Sequence, residues 1–348
     1  MHAIIEINLY KFPWNLFWNG NFAVCIFFVL SGFVLSNKYF KTRNLKIVLS
    51  GAFRRYPRLL IPVVVSVFIG YLLVKFNLFW NTNQISLTKT PPVVQRFWSE
   101  TGDLFYALKQ GFFSIFVKKF DYPEHFNPVL WTMYYEFLGS FIVFAVIGVL
   151  RNKHIRYISY LILIIFFRDS YLLAFILGLI ISEFYNCSTF ANVAKYKYVG
   201  IASLVMGIVM GVFSYPTQDA STNFIYSGVE LSSRSVQLSH IIGASLILYA
   251  AVSLIRFQQI LSVRPMVFLG RISFSLYLLH TYLIAVFSRR IFYYITVHFH
   301  LSYPINFILT SMTTLLILIP ISLLYTKYVD EKSVLFSKWL YMKIIKLS

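Results

Sequence analysis

The sequence predicts an all-α protein, a polytopic membrane helix bundle of about nine transmembrane helices. Three observations support this prediction. Of the 348 residues, 58% are hydrophobic and only 12% are charged, which leaves too little polar surface to cover a soluble globule. The apolar residues fall in runs close to the length that crosses a bilayer. The Lys and Arg residues, which give a net charge of +19, fall in short clusters between those runs.

The nine predicted spans differ in length. They lie near residues 20–37, 59–79, 129–150, 157–167, 170–186, 198–213, 238–255, 272–288 and 304–326. The fourth and fifth are short and flank Arg168 and Asp169, so a single hairpin is an alternative there. Residues 80–128 form the sizeable extramembrane segment, and its apolar stretch 104–117 is expected to lie on the membrane surface. The whole chain, 1–348, is expected to form one membrane-embedded domain.

The basic clusters predict the orientation. With the amino terminus outside and the carboxyl terminus in the cytoplasm, the inner loops hold roughly two thirds of the 31 Lys and Arg residues. Clusters that face an anionic leaflet in this way argue against binding to nucleic acid. Residues 1–19 lack a sustained apolar core, so no cleavable signal peptide is predicted. A first helix that begins outside without a signal is unusual, and we therefore expect a helix upstream of Met1.

Glu136 is the strongest candidate for a functional residue. It lies within the predicted span 129–150, roughly 10 Å below the outer surface at about 1.5 Å per residue. A carboxylate that faces lipid costs a few kcal/mol, so Glu136 should face the bundle interior or a wet cavity. It either pairs with an Arg or Tyr to hold helices together or takes part in chemistry. Trp131 and Tyr135 are either interfacial aromatic residues or part of a pocket for a polar, ring-shaped acceptor.

Arg55 and Arg58 belong to a basic cluster at the predicted inner mouth of the second span. They are three residues apart and share a face if the chain is helical through Pro57. Two guanidinium groups there would suit a phosphorylated ligand that arrives from the cytoplasm. The alternative is a cluster that serves only to retain this loop inside.

Ser31, His280 and the two cysteines have simple structural interpretations. Small residues such as Ser31 and Gly32 in mid-span normally allow helices to approach closely, and a nucleophilic Ser31 would need a base. His280 lies within the eighth span, where polar contact between helices and a functional role are both open. Cysteines at positions 25 and 187 are too few for a disulfide framework or a metal cluster, so no metal site is predicted.

Four stretches in order resemble the acyltransferase-3 family of multi-pass membrane O-acyltransferases. Members of that family show a glycine-led FFVLSGF helix, an RRxxRxxP stretch, a W-[ST]-L-x-x-E motif and an LGxxSYxLYLxH motif. The counterparts here are FFVLSGF within residues 20–33, RRYPRLLIP at 54–62, WTMYYE at 131–136 and LGRISFSLYLLH at 269–280. Each motif alone is weak, whereas the ordered set at matching spacing is specific and spans essentially the whole chain.

The resemblance implies an activity at the plasma membrane. An acyl group, most often acetyl, would pass from a cytoplasmic acyl-CoA donor to a hydroxyl of a carbohydrate or lipid-linked glycan. Acyl-CoA is then a co-substrate, and no tightly bound cofactor is implied. The implied site has His2 and Glu136 as catalytic residues, Arg55 and Arg58 at the donor phosphates, and a pocket formed by Trp131, Tyr135, Ser31 and His280.

The family plan has ten helices, and its first helix carries an essential Arg and a His. Nine predicted spans fit that plan without the first helix. His2 lies at about the family's distance from the FFVLSGF helix and would act as general base or transient acyl carrier, whereas the Arg has no counterpart. Two alternatives stay open, a transporter or flippase with Glu136 as a proton relay and a truncated, inactive paralogue. No oligomeric state is predicted.

Overall fold

All regular structure in the described part of the chain is helical, which confirms the all-α prediction. The structure, a computed structural model, describes residues 16, 19–79, 98, 102–119, 125–187, 189–190, 196–213 and 232–345. His2 and most of the segment 80–101 therefore lie outside the described residues.

The described residues form thirteen helices. In chain order they are α1 (Gly20–Thr42), α2 (Leu45–Lys75), α3 (Leu104–Val117), α4 (Trp131–Val149), α5 (Lys153–Phe167), α6 (Leu172–Tyr185), α7 (Lys197–Gly211), α8 (Ser233–Ser253), α9 (Ile255–Leu261), α10 (Arg264–Leu283), α11 (Arg289–Phe299), α12 (Tyr303–Tyr325) and α13 (Glu331–Ile345). A 3-10 turn, Pro128–Leu130, leads into α4. Single π-helical turns join α10 to α11 and α12 to α13, so each of these pairs forms one continuous helical segment.

Six helical segments among the described residues are long and apolar enough to cross a membrane. They are Gly20–Thr42, Leu45–Lys75, Pro128–Val149, Ser233–Ser253, Arg264–Phe299 and Tyr303–Ile344. Each contains or overlaps a predicted span. The predicted spans near 157–167, 170–186 and 198–213 form helices of 15, 14 and 15 residues, shorter than a full crossing. A total of nine crossings stays a prediction.

The chain divides into two compact units, each built from two separate stretches. The first unit consists of Met1–Phe53 and Leu138–Val263, and the second of Arg54–Phe137 and Arg264–Ser348. The first unit contains α1 and α5–α9, and the second contains α3 and α10–α13. The unit boundaries fall within α2 and α4.

Close approach of α1 and α6 organises the first unit. A Cβ added to Gly32 would lie 2.2 Å from the Phe175 carbonyl oxygen, and one added to Gly178 would lie 2.0 Å from the Val29 carbonyl oxygen. The two backbones are thus in direct contact, which only small residues permit. The structural interpretation of Gly32 in the FFVLSGF stretch is confirmed.

Gly178→Ala is expected to lower the stability of the protein by about 1–3 kcal/mol, because the new methyl group would push the α1 and α6 backbones apart. The midpoint of thermal unfolding in detergent measures the effect. Gly270→Ala is the matched control, since the structure leaves open space around Gly270 on an exposed face of α10. Equal melting temperatures for both variants would contradict the close-packing account.

The second unit packs around α2. Buried side chains from α2, α3, α4, α10 and α12 form one apolar cluster that includes Val63, Phe116, Met133, Leu278 and Leu318. The stretch 104–117, predicted to lie on the membrane surface, is a helix, and its residues Ala107, Ile115 and Phe116 are buried in this cluster.

The helix α2 differs from the predicted span 59–79, because it begins at Leu45 and continues through Pro57 and Pro62. Proline removes the backbone donor to the carbonyl four residues earlier, which for Pro62 is that of Arg58. The Ser333 hydroxyl lies 3.1 Å from the Arg58 oxygen and 2.7 Å from the Asp330 carbonyl oxygen, so its one hydrogen is shared between these two acceptors. A neighbouring hydroxyl that satisfies the freed carbonyl is what allows an apolar helix to accommodate proline.

Candidate functional site

The second unit contains a buried ion pair between Arg55 of α2 and Glu136 of α4. The Arg55 Nη2 group donates to Glu136 Oε1, and the two residues are 7% and 2% exposed. Arg55 Nε is buried and has no hydrogen-bond partner among the described residues. Because Glu136 is buried and paired with Arg55, its carboxylate faces protein. This agrees with the high cost of exposing an ionised carboxylate to lipid.

The pair lies well inside both helices. The predicted position of Arg55 was the mouth of a span that starts near residue 59, whereas α2 begins at Leu45. Ten residues along a helix correspond to about 15 Å, and Glu136 lies about 8 Å along α4 from Trp131. The Arg55–Glu136 contact joins the basic stretch 54–62 to the WTMYYE stretch within the second unit. The sequence had predicted Arg55 at the inner mouth of one span and Glu136 near the outer end of another.

Three aromatic residues, Trp131, Tyr134 and Tyr135, precede this acid on α4. The Trp131 and Tyr135 rings meet edge to face at 5.9 Å between centroids, and Tyr134 and Tyr135 meet in the same way at 5.2 Å. All three side chains are half-buried. They combine apolar ring faces with hydrogen-bonding groups, as sites for polar ring-shaped ligands do.

Tyr277 connects α10 to the start of α4. Its hydroxyl donates to the Val129 carbonyl at 2.7 Å and lies 3.0 Å from the Thr132 hydroxyl. Thr132 belongs to the WTMYYE stretch and Tyr277 to the LGRISFSLYLLH stretch, so these two motifs are in direct contact in the second unit.

His280 is half-buried one turn beyond Tyr277. Its Nδ1 lies 2.7 Å from the Tyr277 carbonyl oxygen. Because a carbonyl only accepts, Nδ1 carries the proton, and Nε2 is the accepting nitrogen of the neutral ring. An imidazole fixed in this tautomer can accept a proton or a hydroxyl hydrogen bond at Nε2.

Asn127 fixes the turn that leads into α4. This fully buried side chain donates to Ser66 Oγ at 2.7 Å and to the Leu278 carbonyl at 2.8 Å, and its Oδ1 accepts from the Val129 amide at 3.2 Å. It therefore ties α2 and α10 to the amino-terminal end of α4. The sequence shows only that Asn127 lies four residues before the WTMYYE stretch. It does not show the partners of Asn127, because they are distant in the chain.

The remaining predicted site residues have different environments. Arg58 is exposed, one turn beyond Arg55 on α2. Ser31 is a half-buried residue of α1 in the first unit, and it has contacts of its own. His2 lies outside the described residues.

The first unit holds a second buried charge cluster that the motif analysis missed. Arg156 of α5 donates through Nε to Glu183 Oε2 at 2.8 Å and through Nη2 to Glu183 Oε1, while the Tyr160 hydroxyl donates to Oε2 at 2.6 Å. Glu183 is an acid within the apolar stretch 170–186, the same signal that singled out Glu136. Applying that criterion to every acid would have found it.

His240 of α8 also belongs to a buried polar network in the first unit. Its Nδ1 lies 2.8 Å from Asn21 Oδ1, and its Nε2 lies 3.1 Å from Asn19 Nδ2. Asn21 in turn donates to the Tyr171 hydroxyl. Side chains of α1 and α8 are thus joined through polar contacts, as buried polar groups in membrane bundles require.

Comparison with known proteins identifies the family. A family model described as "Acyltransferase domain" matches residues 1–325. The chain is 24% identical to "Acyltransferase clz18" of Cochliobolus lunatus, over 80% of this chain and 71% of that protein. It is also 24% identical to "Acyltransferase R4" of Phoma sp. (strain ATCC 20986 / MF5453), over 80% of this chain and 70% of that protein. No solved structure matches.

The matched residues contain all four motifs as well as the Arg55–Glu136 pair. Together with the apolar helices, this match makes the chain a membrane acyltransferase, which transfers groups other than amino-acyl groups. The chain belongs to the acyltransferase-3 family.

Proposed function

We propose that the protein transfers an acyl group, most often acetyl, from a cytoplasmic acyl-CoA donor to a hydroxyl of a carbohydrate or glycolipid acceptor. The observation that carries this proposal is the buried Arg55–Glu136 pair in the second unit, which holds three of the four motif stretches and also Trp131, Tyr135 and Tyr277. An ion pair at this depth is costly to maintain and is commonly functional.

The two arginines have separate tasks in this proposal. Arg55 contacts Glu136 and holds its carboxylate in place. Arg58 is exposed and presents a planar fork of donors, which suits the phosphate groups of the donor. Donor binding thus depends mainly on Arg58, whereas Arg55 is a positioning residue.

The transfer step needs a base and an oriented hydroxyl. The acceptor oxygen attacks the thioester carbonyl carbon, the carbon–sulfur bond breaks, and the hydroxyl proton passes through the base to the departing thiolate. His2 is the proposed base or transient acyl carrier. Glu136 accepts from the acceptor hydroxyl, while Trp131, Tyr135 and His280 of the same unit contribute to the pocket.

The reaction can be tested in inverted membrane vesicles that contain the protein and native glycolipids. Radiolabelled acetyl-CoA is added to the exposed cytoplasmic face. We expect label in material that mild base releases, together with one free thiol for each ester formed. Movement of a substrate without ester formation would instead indicate a transporter, and the absence of both would indicate an inactive paralogue.

Arg58→Gln is expected to raise the KM for acyl-CoA about tenfold with little change in kcat, because one charge-assisted phosphate contact is worth about 1.4 kcal/mol or more. Initial rates across a donor concentration series measure this. Lys338→Gln, which removes another exposed cation of the second unit, is the matched control. An unchanged KM for Arg58→Gln would remove this residue from the donor site.

A further inference from the structure

The first unit contains a basic cavity that the proposed reaction does not use. Its volume is about 710 Å³, within the size range of small-molecule sites. It is lined by residues at the end of α1, at the start of α2, around the start of α5, and at and just beyond the end of α6. Its lining cations are Arg43, Arg151, Lys153 and Arg156. Glu183 is the one acidic side chain among its lining residues.

Two of the lining residues, Arg156 and Glu183, form the buried ion pair of the first unit. Arg156 is 1% exposed, and it binds Glu183 through Nε and Nη2 and the Leu150 carbonyl through Nη1 at 2.8 Å. The Phe40 ring, also buried, lies 5.4 Å from the Arg156 guanidinium carbon and 5.3 Å from that of Arg43. Arg156 thus neutralises Glu183, and its guanidinium is already committed to protein partners.

Three cations remain uncompensated at the rim. Arg43, Arg151 and Lys153 form no salt bridge within the described part of the chain. Arg43 is the C-cap of α1 and has the left-handed backbone conformation. Its backbone amide donates to the Tyr39 carbonyl, which fixes the position of the Arg43 backbone from which the side chain extends. Lys153 begins α5, whose amino-terminal amides add positive potential.

We propose that this cavity binds a phosphate-bearing anionic ligand through Arg43, Arg151 and Lys153. Guanidinium and ammonium groups around a concave surface are the usual partners of phosphate oxygens. Arg43, Arg151 and Lys153 also lie in two of the loops whose basic residues predict a cytoplasmic location. The ligand is therefore either the phosphate of an anionic lipid headgroup or the phosphate groups of a soluble cytoplasmic nucleotide.

Cys187 gives a direct measure of occupancy, because it lines the cavity and is half-buried. The other cysteine, Cys25, is fully buried. The experiment follows the rate at which a maleimide alkylates Cys187 in the full chain, held in phosphatidylcholine nanodiscs. Inorganic pyrophosphate and adenosine 3′,5′-bisphosphate serve as soluble probes without a thiol, and sodium chloride at equal ionic strength is the reference.

A second set of nanodiscs contains phosphatidylglycerol and tests the headgroup source. The experiment thus has two arms, the soluble probes and the phosphatidylglycerol nanodiscs. We expect alkylation of Cys187 to be at least about fivefold slower in one arm, and that arm identifies the source of the phosphate. Protection should disappear in the variant Arg151→Gln with Lys153→Gln. It should persist in Lys38→Gln with Lys41→Gln, which removes two exposed cations of α1 that do not line the cavity.

Each variant is compared with and without ligand, so a changed intrinsic reactivity of the thiol does not affect the result. The absence of protection in both arms would overturn the proposal, as would equal protection of the parent and the Arg151/Lys153 variant. The measurement records binding alone. Its outcome is therefore independent of whether the protein transfers an acetyl group.

Discussion

Glu136→Gln is expected to abolish acyl transfer and to lower the free energy of unfolding by about 3–5 kcal/mol, because Arg55 would be left buried without a counter-charge. Arg55→Met should destabilise the protein by a similar amount, since it removes the ion-pair partner of the buried Glu136 carboxylate. Thermal unfolding in detergent and the ester-forming vesicle assay measure the two effects separately.

The double variant Arg55→Met with Glu136→Met separates a structural pair from a functional one. Two apolar side chains of similar volume remove both buried charges, so stability should return to within about 1 kcal/mol of the parent. Transfer should stay at least about a hundredfold below the parent, a usual loss when a group that moves or orients a proton is removed. Transfer at the parental rate in this stable protein would show that the pair only joins α2 to α4.

Arg156→Met should have the largest effect in the first unit, a loss of about 3–5 kcal/mol in the free energy of unfolding. The reason is that Glu183, 4% exposed, would keep its charge with only the Tyr160 hydroxyl as a donor among the described residues. Tyr160→Phe removes one hydrogen bond to a charged group and should cost less, about 1.5–3 kcal/mol. Thermal unfolding of the detergent-solubilised protein gives the order of the two effects.

The exposed pair of Arg168 and Asp169 provides the matched control. Their side chains are 71% and 51% exposed and lie 3.4 Å apart, and exposed pairs of this kind contribute about 0–1 kcal/mol. Arg168→Gln should therefore leave the unfolding midpoint nearly unchanged. If Arg168→Gln lowered the unfolding midpoint as much as Arg156→Met does, burial would not explain the contribution of the Arg156–Glu183 pair to protein stability.

The sequence by itself determined the class of the protein and its most informative residue. Apolar runs of bilayer length and few charges predicted the helices, and an acid inside such a run singled out Glu136. The order of four motifs predicted the family, which the match over residues 1–325 confirms. These signals depend only on composition and on the spacing of residues along the chain, and both can be determined from one amino-acid sequence.

Only the tertiary structure decided which charges meet. Arg55 and Glu136 are 81 residues apart in the chain, and Arg156 and Glu183 are 27 apart. Helical periodicity shows which residues share a face, but it does not show which faces of two helices pack together. The continuation of α2 through Pro62 also involves a distant contact, because the Ser333 hydroxyl lies 3.1 Å from the Arg58 carbonyl oxygen that Pro62 leaves without its backbone donor. A proline in the sequence predicts the end of a helix. Only residues that are close in space can compensate for the missing hydrogen bond.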